Sequence, residues 1–177
     1  MRSIVYALAV VAACSSSPKP VPAPIPPPDQ APPPIPKPAP VEKVMTQDTP
    51  YADTDGNTFI VQAEWKVTTV DTMTTLSAPE GDSRIAIVDV SAADNAAARD
   101  AAWKAYKPDA KWPLLTTTQA PDRDGWTKGT GYSYQTSPNE KRIVQVGTRF
   151  ANGRFVVIVI DFSEATGEKR GGQIGKI

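Results

Sequence analysis

Thirteen of the chain's 19 prolines fall between Pro18 and Pro40. Proline has no backbone N–H and a fixed φ, so this stretch can build neither a helix nor a sheet ladder. Any globular fold must therefore come from the residues after it, from about Met45 to Ile177. The run itself, mixed with Ala, Val, Ile and two lysines, is expected to form a disordered stalk of polyproline II character. At about 3.1 Å per residue it would reach roughly 70 Å if straight. Two uses are open for it: a spacer that binds nothing, or a proline-rich ligand for a partner's aromatic groove.

The residues before the run set its context. Met1 and Arg2 are followed by a nearly continuous apolar stretch, Ile4 to Ala13. Crossing a bilayer core takes about 20 such residues, so this stretch has the length of a secretory apolar region instead. Its end, Val11-Ala12-Ala13-Cys14, resembles the bacterial lipobox, in which the cysteine thiol takes a diacylglyceryl group. Residues 1–13 are thus expected to be a lipoprotein signal peptide, 14–44 the lipidated Cys14 and the Pro-rich linker, and 45–177 a single domain. A multiply acylated N-terminus holds a protein stably on a membrane. An ordinary signal peptide with a chance cysteine, or an N-terminal anchor helix, are the alternatives. By resemblance to other lipoproteins, Ser15 after the cysteine favours the outer membrane, with the domain facing the periplasm.

Composition narrows the chemistry. Cys14 is the only cysteine, so no disulfide can form within the chain. There is no histidine, hence no Ser-His-Asp triad and no Cys-His pair, and the commonest ligand for zinc is missing. Lys plus Arg equals Asp plus Glu at 19 each, with no basic run, which argues against nucleic acid as a partner. No cofactor is expected.

The body reads as α+β. Thr58 to Val61 is a short β segment. Thr72–Ala78 and "RIAIVDV" (84–90) flank a Pro79-Glu80-Gly81-Asp82 turn and read as a hairpin. Asp94 is an N-cap for an alanine-rich helix that Pro108 stops. Its alanines 97, 98, 101, 102 and 105 form a stripe expected to lie on a sheet, with Trp103 covering a core edge. Beyond it, "WTKGTGYSYQT" alternates, placing Trp126, Tyr132 and Tyr134 on one face. "RIVQVGTRF" and "RFVVIVIDF" follow around Asn152-Gly153, a hairpin turn pair. The second of these is apolar on both faces, as a central strand is. Ser163 caps a last, glycine-weakened helix that must lean on the sheet. Residues 109–125 read as either strand or loop. The expected architecture is a largely antiparallel sheet with two packed helices.

Few constellations carry chemistry. Ser16 to Lys19 spells Ser-x-x-Lys within the stalk, where nothing holds the serine against the lysine. "KGTG" (128–131) resembles the β-lactamase "KTG" in the wrong order. In "DTDGN" (53–57), Asp53, Asp55, Asn57 and Glu64 take positions 1, 3, 5 and 12 of a calcium loop, but the glycine is misplaced and a strand follows. An Asp-Gly turn is the simpler reading, and no metal is expected. Trp112, Trp126, Tyr132 and Tyr134 are either core residues or partner-contact aromatics. Trp112 and Trp126 follow turn-rich segments and are the expected exposed pair.

Four runs, "LSAPEGDSRIAIVDV", "AAWKAYKPDAKWPL", "YQTSPNEKRIVQVGTRF" and "IDFSEATGEKRGGQIGKI", together resemble the N-terminal, non-catalytic module of secreted serine hydrolases of the class C β-lactamase/esterase family. The resemblance spans about Phe59 to Ile177. The strand order also resembles the PsbP-like α/β/α sandwich. The hydrolase family's catalytic motifs would lie beyond Ile177, so the resemblance assigns no catalytic residue here. The resemblance does not cover the lipobox or the stalk; anchor, stalk and a domain without catalytic groups together lead to the expectation of a lipid-anchored, non-catalytic accessory or binding module facing a partner protein, a hydrolase domain or the cell wall. The alternatives are the front part of a truncated or split hydrolase, and a spacer lipoprotein without a ligand.

Overall fold

The structure, a computed structural model, describes residues 40–174. Cys14, Ser15 and nearly all of the proline run lie outside the described residues. Eight strands form one antiparallel sheet: β1 (Val41–Val44), β4 (Lys66–Val70), β5 (Met73–Ser77), β6 (Arg84–Val90), β10 (Arg154–Ser163), β9 (Arg142–Ala151), β8 (Thr127–Tyr134) and β7 (Leu114–Ala120), in that spatial order. A separate hairpin pairs β2 (Thr49–Ala52) with β3 (Thr58–Val61). The helices are α1 (Asn95–Tyr106) and α2 (Glu164–Ile174). This is the α+β architecture the sequence predicts.

The centre of the sheet follows from local chemistry. Asn152 (φ 52°) and Gly153 (φ 81°) make a turn with two left-handed residues, which matches the twist of paired strands. The turn sets β9 against β10 from Arg154↔Ala151 to Ser163↔Arg142. β10 also pairs with β6, so its side chains serve both faces. Phe155, Val157 and Val159 join Ala86, Val88, Val146 and the helix alanines in one core. Phe162 joins Trp65, Leu76, Ile85 and Val61 in the other.

Helix α1 covers the first face. The Asp94 side chain accepts the Ala97 N–H at 2.8 Å, as an N-cap does. The five-alanine stripe is corrected, however: only Ala98 and Ala102 are buried, while Ala97, Ala101 and Ala105 are exposed. The helix is rolled so that Trp103 and Tyr106, on the flank of the alanines, also reach the sheet and fill space that methyl groups would leave empty.

The second face is covered by α2 and by the β2–β3 hairpin. Ser163 Oγ accepts the Thr166 N–H at 3.2 Å, the expected cap. Gly167 lets α2 lie close on β9, since a Cβ there would stand 2.9 Å from Ile143 Cδ1. The Arg170 guanidinium grips both oxygens of Glu80 at 2.9–3.0 Å.

Two boundaries differ from the sequence reading. Val41–Val44, assigned there to the linker, pairs with β4 as a sheet edge. All four residues are exposed, so no burial alternation marks them as a strand. Leu114–Ala120, within the ambiguous 109–125 stretch, is the opposite edge strand.

Candidate functional site

Covering of the second face is incomplete. Along β10, Val156, Ile158 and Ile160 stay only partly buried. A cleft of about 480 Å³ opens there. Its floor contains Val156, Ile158, Ile87, Gly131 and Gly147, with Phe59 from the hairpin to one side. Asp53 and Asn57 form one rim, and Arg123, Asp124, Trp126 and Arg149 the other.

The acidic rim is held by its own hydrogen bonds. Asp53 Oδ1 accepts the N–H groups of Asp55 and Asn57 at 3.1 and 2.8 Å. Asn57 Nδ2 donates to Asp53 Oδ2 at 2.9 Å and to Asp89 Oδ1 at 3.3 Å. Asp89 is pushed up to about 6, first by burial and then by the neighbouring charges of Asp53 and Asp55. Glu64 sits beyond β3, paired with Arg170 at 3.6 Å, so it is not the twelfth-position ligand of a calcium loop around Asp53. "DTDGN" is a self-bonded turn.

The opposite rim is a tight turn. Asp124 (φ 53°) and Gly125 (φ 82°) close a bridge between Arg123 and Trp126. A register shift between Thr127 and Thr130 follows, with Lys128 at φ 52°. This bulge corrects the expectation that Trp126, Tyr132 and Tyr134 share a face. An extra residue in a strand reverses the alternation beyond it. Trp126 therefore lines the second-face cleft, while Tyr132 and Tyr134 face α1.

Tyr132 is only 6% exposed and lies beneath the Arg99 guanidinium, 4.9 Å from the ring centre, so it is not a contact aromatic. Tyr134 accepts a hydrogen bond from Trp103 Nε1 at 2.8 Å, with the rings edge to face at 5.4 Å. Trp112 packs against Trp103 with ring centres 5.9 Å apart and planes tilted by 52°, carries Lys107 Nζ over its ring, and donates to Glu140 at 3.2 Å. Trp112 and Tyr134 thus form one half-buried aromatic cluster on the α1 side, apart from Trp126.

Sequence reasoning missed the cleft's glycines and Arg149. The available signal was glycine inside "GTGYSY" and "VQVGTRF", where strand interiors seldom place it.

The architecture can be compared with known proteins. The solution structure of cyanobacterial PsbP (CyanoP) from Synechocystis sp. PCC 6803 matches with a TM-score of 0.50 at 14% identity, over 73% of this chain and 88% of that one. The fold is similar to PsbP. At that identity the likeness concerns the fold alone, and the PsbP-like sandwich expected from strand order is present. No family model matches the sequence, and no curated protein is significantly similar to it. The hydrolase-module resemblance therefore rests on the four quoted runs alone. Among the described residues, no helix is long and apolar enough to cross a membrane.

Proposed function

We propose that this chain is a lipid-anchored, non-catalytic binding module of the bacterial cell envelope, held at the outer membrane through Cys14 and facing the periplasm. The observation that carries the binding role is the open cleft across the central strand of a PsbP-like sheet. Its lining supports binding over chemistry. The Thr130 and Thr148 hydroxyls point to the α1 side, where they accept hydrogen bonds from Asn95 Nδ2 at 2.9 and 2.8 Å, so neither is presented to the cleft, and the chain has no histidine. The anchor rests on the lipobox-like Val11 to Cys14, and the ligand side on a partner protein or the cell wall.

Labelling cells with radioactive palmitate tests the anchor: the native chain should incorporate label and Cys14→Ser should not. A photo-crosslinking residue in place of Arg123 should capture a partner or cell-wall fragment. Hydrolysis of p-nitrophenyl esters or a chromogenic β-lactam at enzymatic rates would sink the non-catalytic reading. The four hydrolase-like runs favour a second reading, the accessory part of a serine hydrolase. Sequencing beyond the Ile177 codon decides it, because a Ser-x-x-Lys module after a short linker is what that reading requires.

A further inference from the structure

The cleft has features that the fold does not ask for. Thr118, Gly131, Gly147, Ile158 and Ile87 stand in one row across five strands. The two adjacent glycines do not have positive φ. A Cβ on Gly147 would meet nothing within 4 Å, and one on Gly131 would meet only the Thr118 carbonyl at 3.9 Å. Glycine weakens a strand interior and often marks the close approach of a ligand. Here it leaves a strip of bare backbone beside Ile158.

Arg149 lies two residues from Gly147 on the same face of β9 and lines the cleft. Arg99, Arg142, Arg154 and Arg170 each hold a carboxylate. Arg149 holds none among the described residues. Trp126 is half-buried in the wall, with its indole N–H unpartnered among the described residues. The two carboxylates on the rim are engaged already, Asp53 by its own loop and Asp124 by Arg123 at 2.9 Å. The unmet capacity is therefore donating and positive, next to a flat floor and an aromatic ring. Rim carboxylates repel a dianion, which leaves a monoanion with a planar body.

We propose that the cleft binds an aryl carboxylate, its ring on the backbone of Gly131 and Gly147 beside Trp126 and its carboxylate on the Arg149 guanidinium. Arginine takes a carboxylate through two parallel hydrogen bonds, and planar rings stack favourably on indole. The volume of about 480 Å³ lies within the roughly 300–1,000 Å³ of small-molecule pockets. The inference rests on the reading of this cleft as the binding site.

The test titrates 2-naphthoate, and its neutral isostere 2-naphthamide, into the isotope-labelled full chain carrying Cys14→Ser. Amide resonances of Gly131 and Gly147 and the Trp126 indole should shift. Naphthoate should bind about tenfold or more tighter than naphthamide, as charge-assisted pairing requires. Arg149→Gln should erase that difference. Gly147→Val should abolish binding of both while the melting temperature holds or rises. Should G147V melt lower, the double variant G131A/G147A, whose methyl groups have room, takes its place. Equal affinity for the two probes, shifts confined to the Trp103–Tyr134 cluster, no shifts at all, or full binding by the filled variant would overturn the proposal. Failure here with crosslinking from the cleft intact removes the aryl carboxylate and keeps the binding module. Loss of cleft crosslinking removes both.

Discussion

Asp89 is a carboxylic acid on a buried strand, 4% exposed, facing Asp53, Asp55 and Arg154. Thr54 Oγ1 and Asn57 Nδ2 donate to it, but burial dominates and raises it from 3.8 to about 6. Between those values the folded chain keeps a proton that the unfolded chain releases, so stability falls as pH rises through the window. Asp89→Asn should remove this fall and add about 1–2 kcal/mol at neutral pH. Urea unfolding from about pH 4 to about pH 7 checks both. The sequence reading of "DTDGN" as a turn was correct for a local reason: Asp53 bonds its own loop. That the loop folds onto Asp89, 32 residues from Asn57, could not be read locally.

At the scale of elements, α2 is weak by composition and strong by attachment. Arg170 holds Glu80 well below the usual range, from 4.5 to about 2. The pair stabilises the fold above pH 4.5 and its contribution is lost as pH falls through about 2. Arg170→Met should cost about 1–3 kcal/mol at neutral pH and flatten the acid limb of the stability profile. It should also change Trp65 fluorescence, because Gln173 on α2 accepts the Trp65 indole N–H at 3.3 Å. The two sheet edges differ in kind. β1 is four residues and carries Glu42 and Lys43, which discourage edge-to-edge pairing. β7 is seven residues, LLTTTQA, without a charge and almost wholly exposed. Thr117→Lys should lower concentration-dependent light scattering while changing stability by no more than about 0.5 kcal/mol. Both edges escaped sequence reading for one reason: an exposed strand has no alternation between core and solvent. The helices and the Asn152-Gly153 hairpin were legible because caps and turns are written in adjacent residues.

At the scale of the whole molecule, β10 joins the two cores. Val157 and Val159 serve the α1 side and Phe162 the other, so damage to either side should be felt by both. Trp65, fully buried against Phe162 at 6.0 Å between ring centres, is the largest side chain of the second core. Trp65→Ala should cost about 3–5 kcal/mol. With Trp126 also replaced by Phe, so that the remaining Trp103 and Trp112 both lie on the α1 side, tryptophan fluorescence and far-UV circular dichroism should still report one coincident transition. Separate transitions would mean that the two layers fold independently. By itself the sequence determined the α+β class, the central strand and where both helices start, since these follow from apolar runs and from capping residues close together in the chain. Only the tertiary structure decided which face each aromatic takes and where the cleft lies. A bulge reverses Trp126 relative to Tyr132, and Gly131, Gly147, Arg149 and Val156 meet only because three strands are in register. Register is a property of the assembled sheet, set by pairing between distant residues that no local pattern contains.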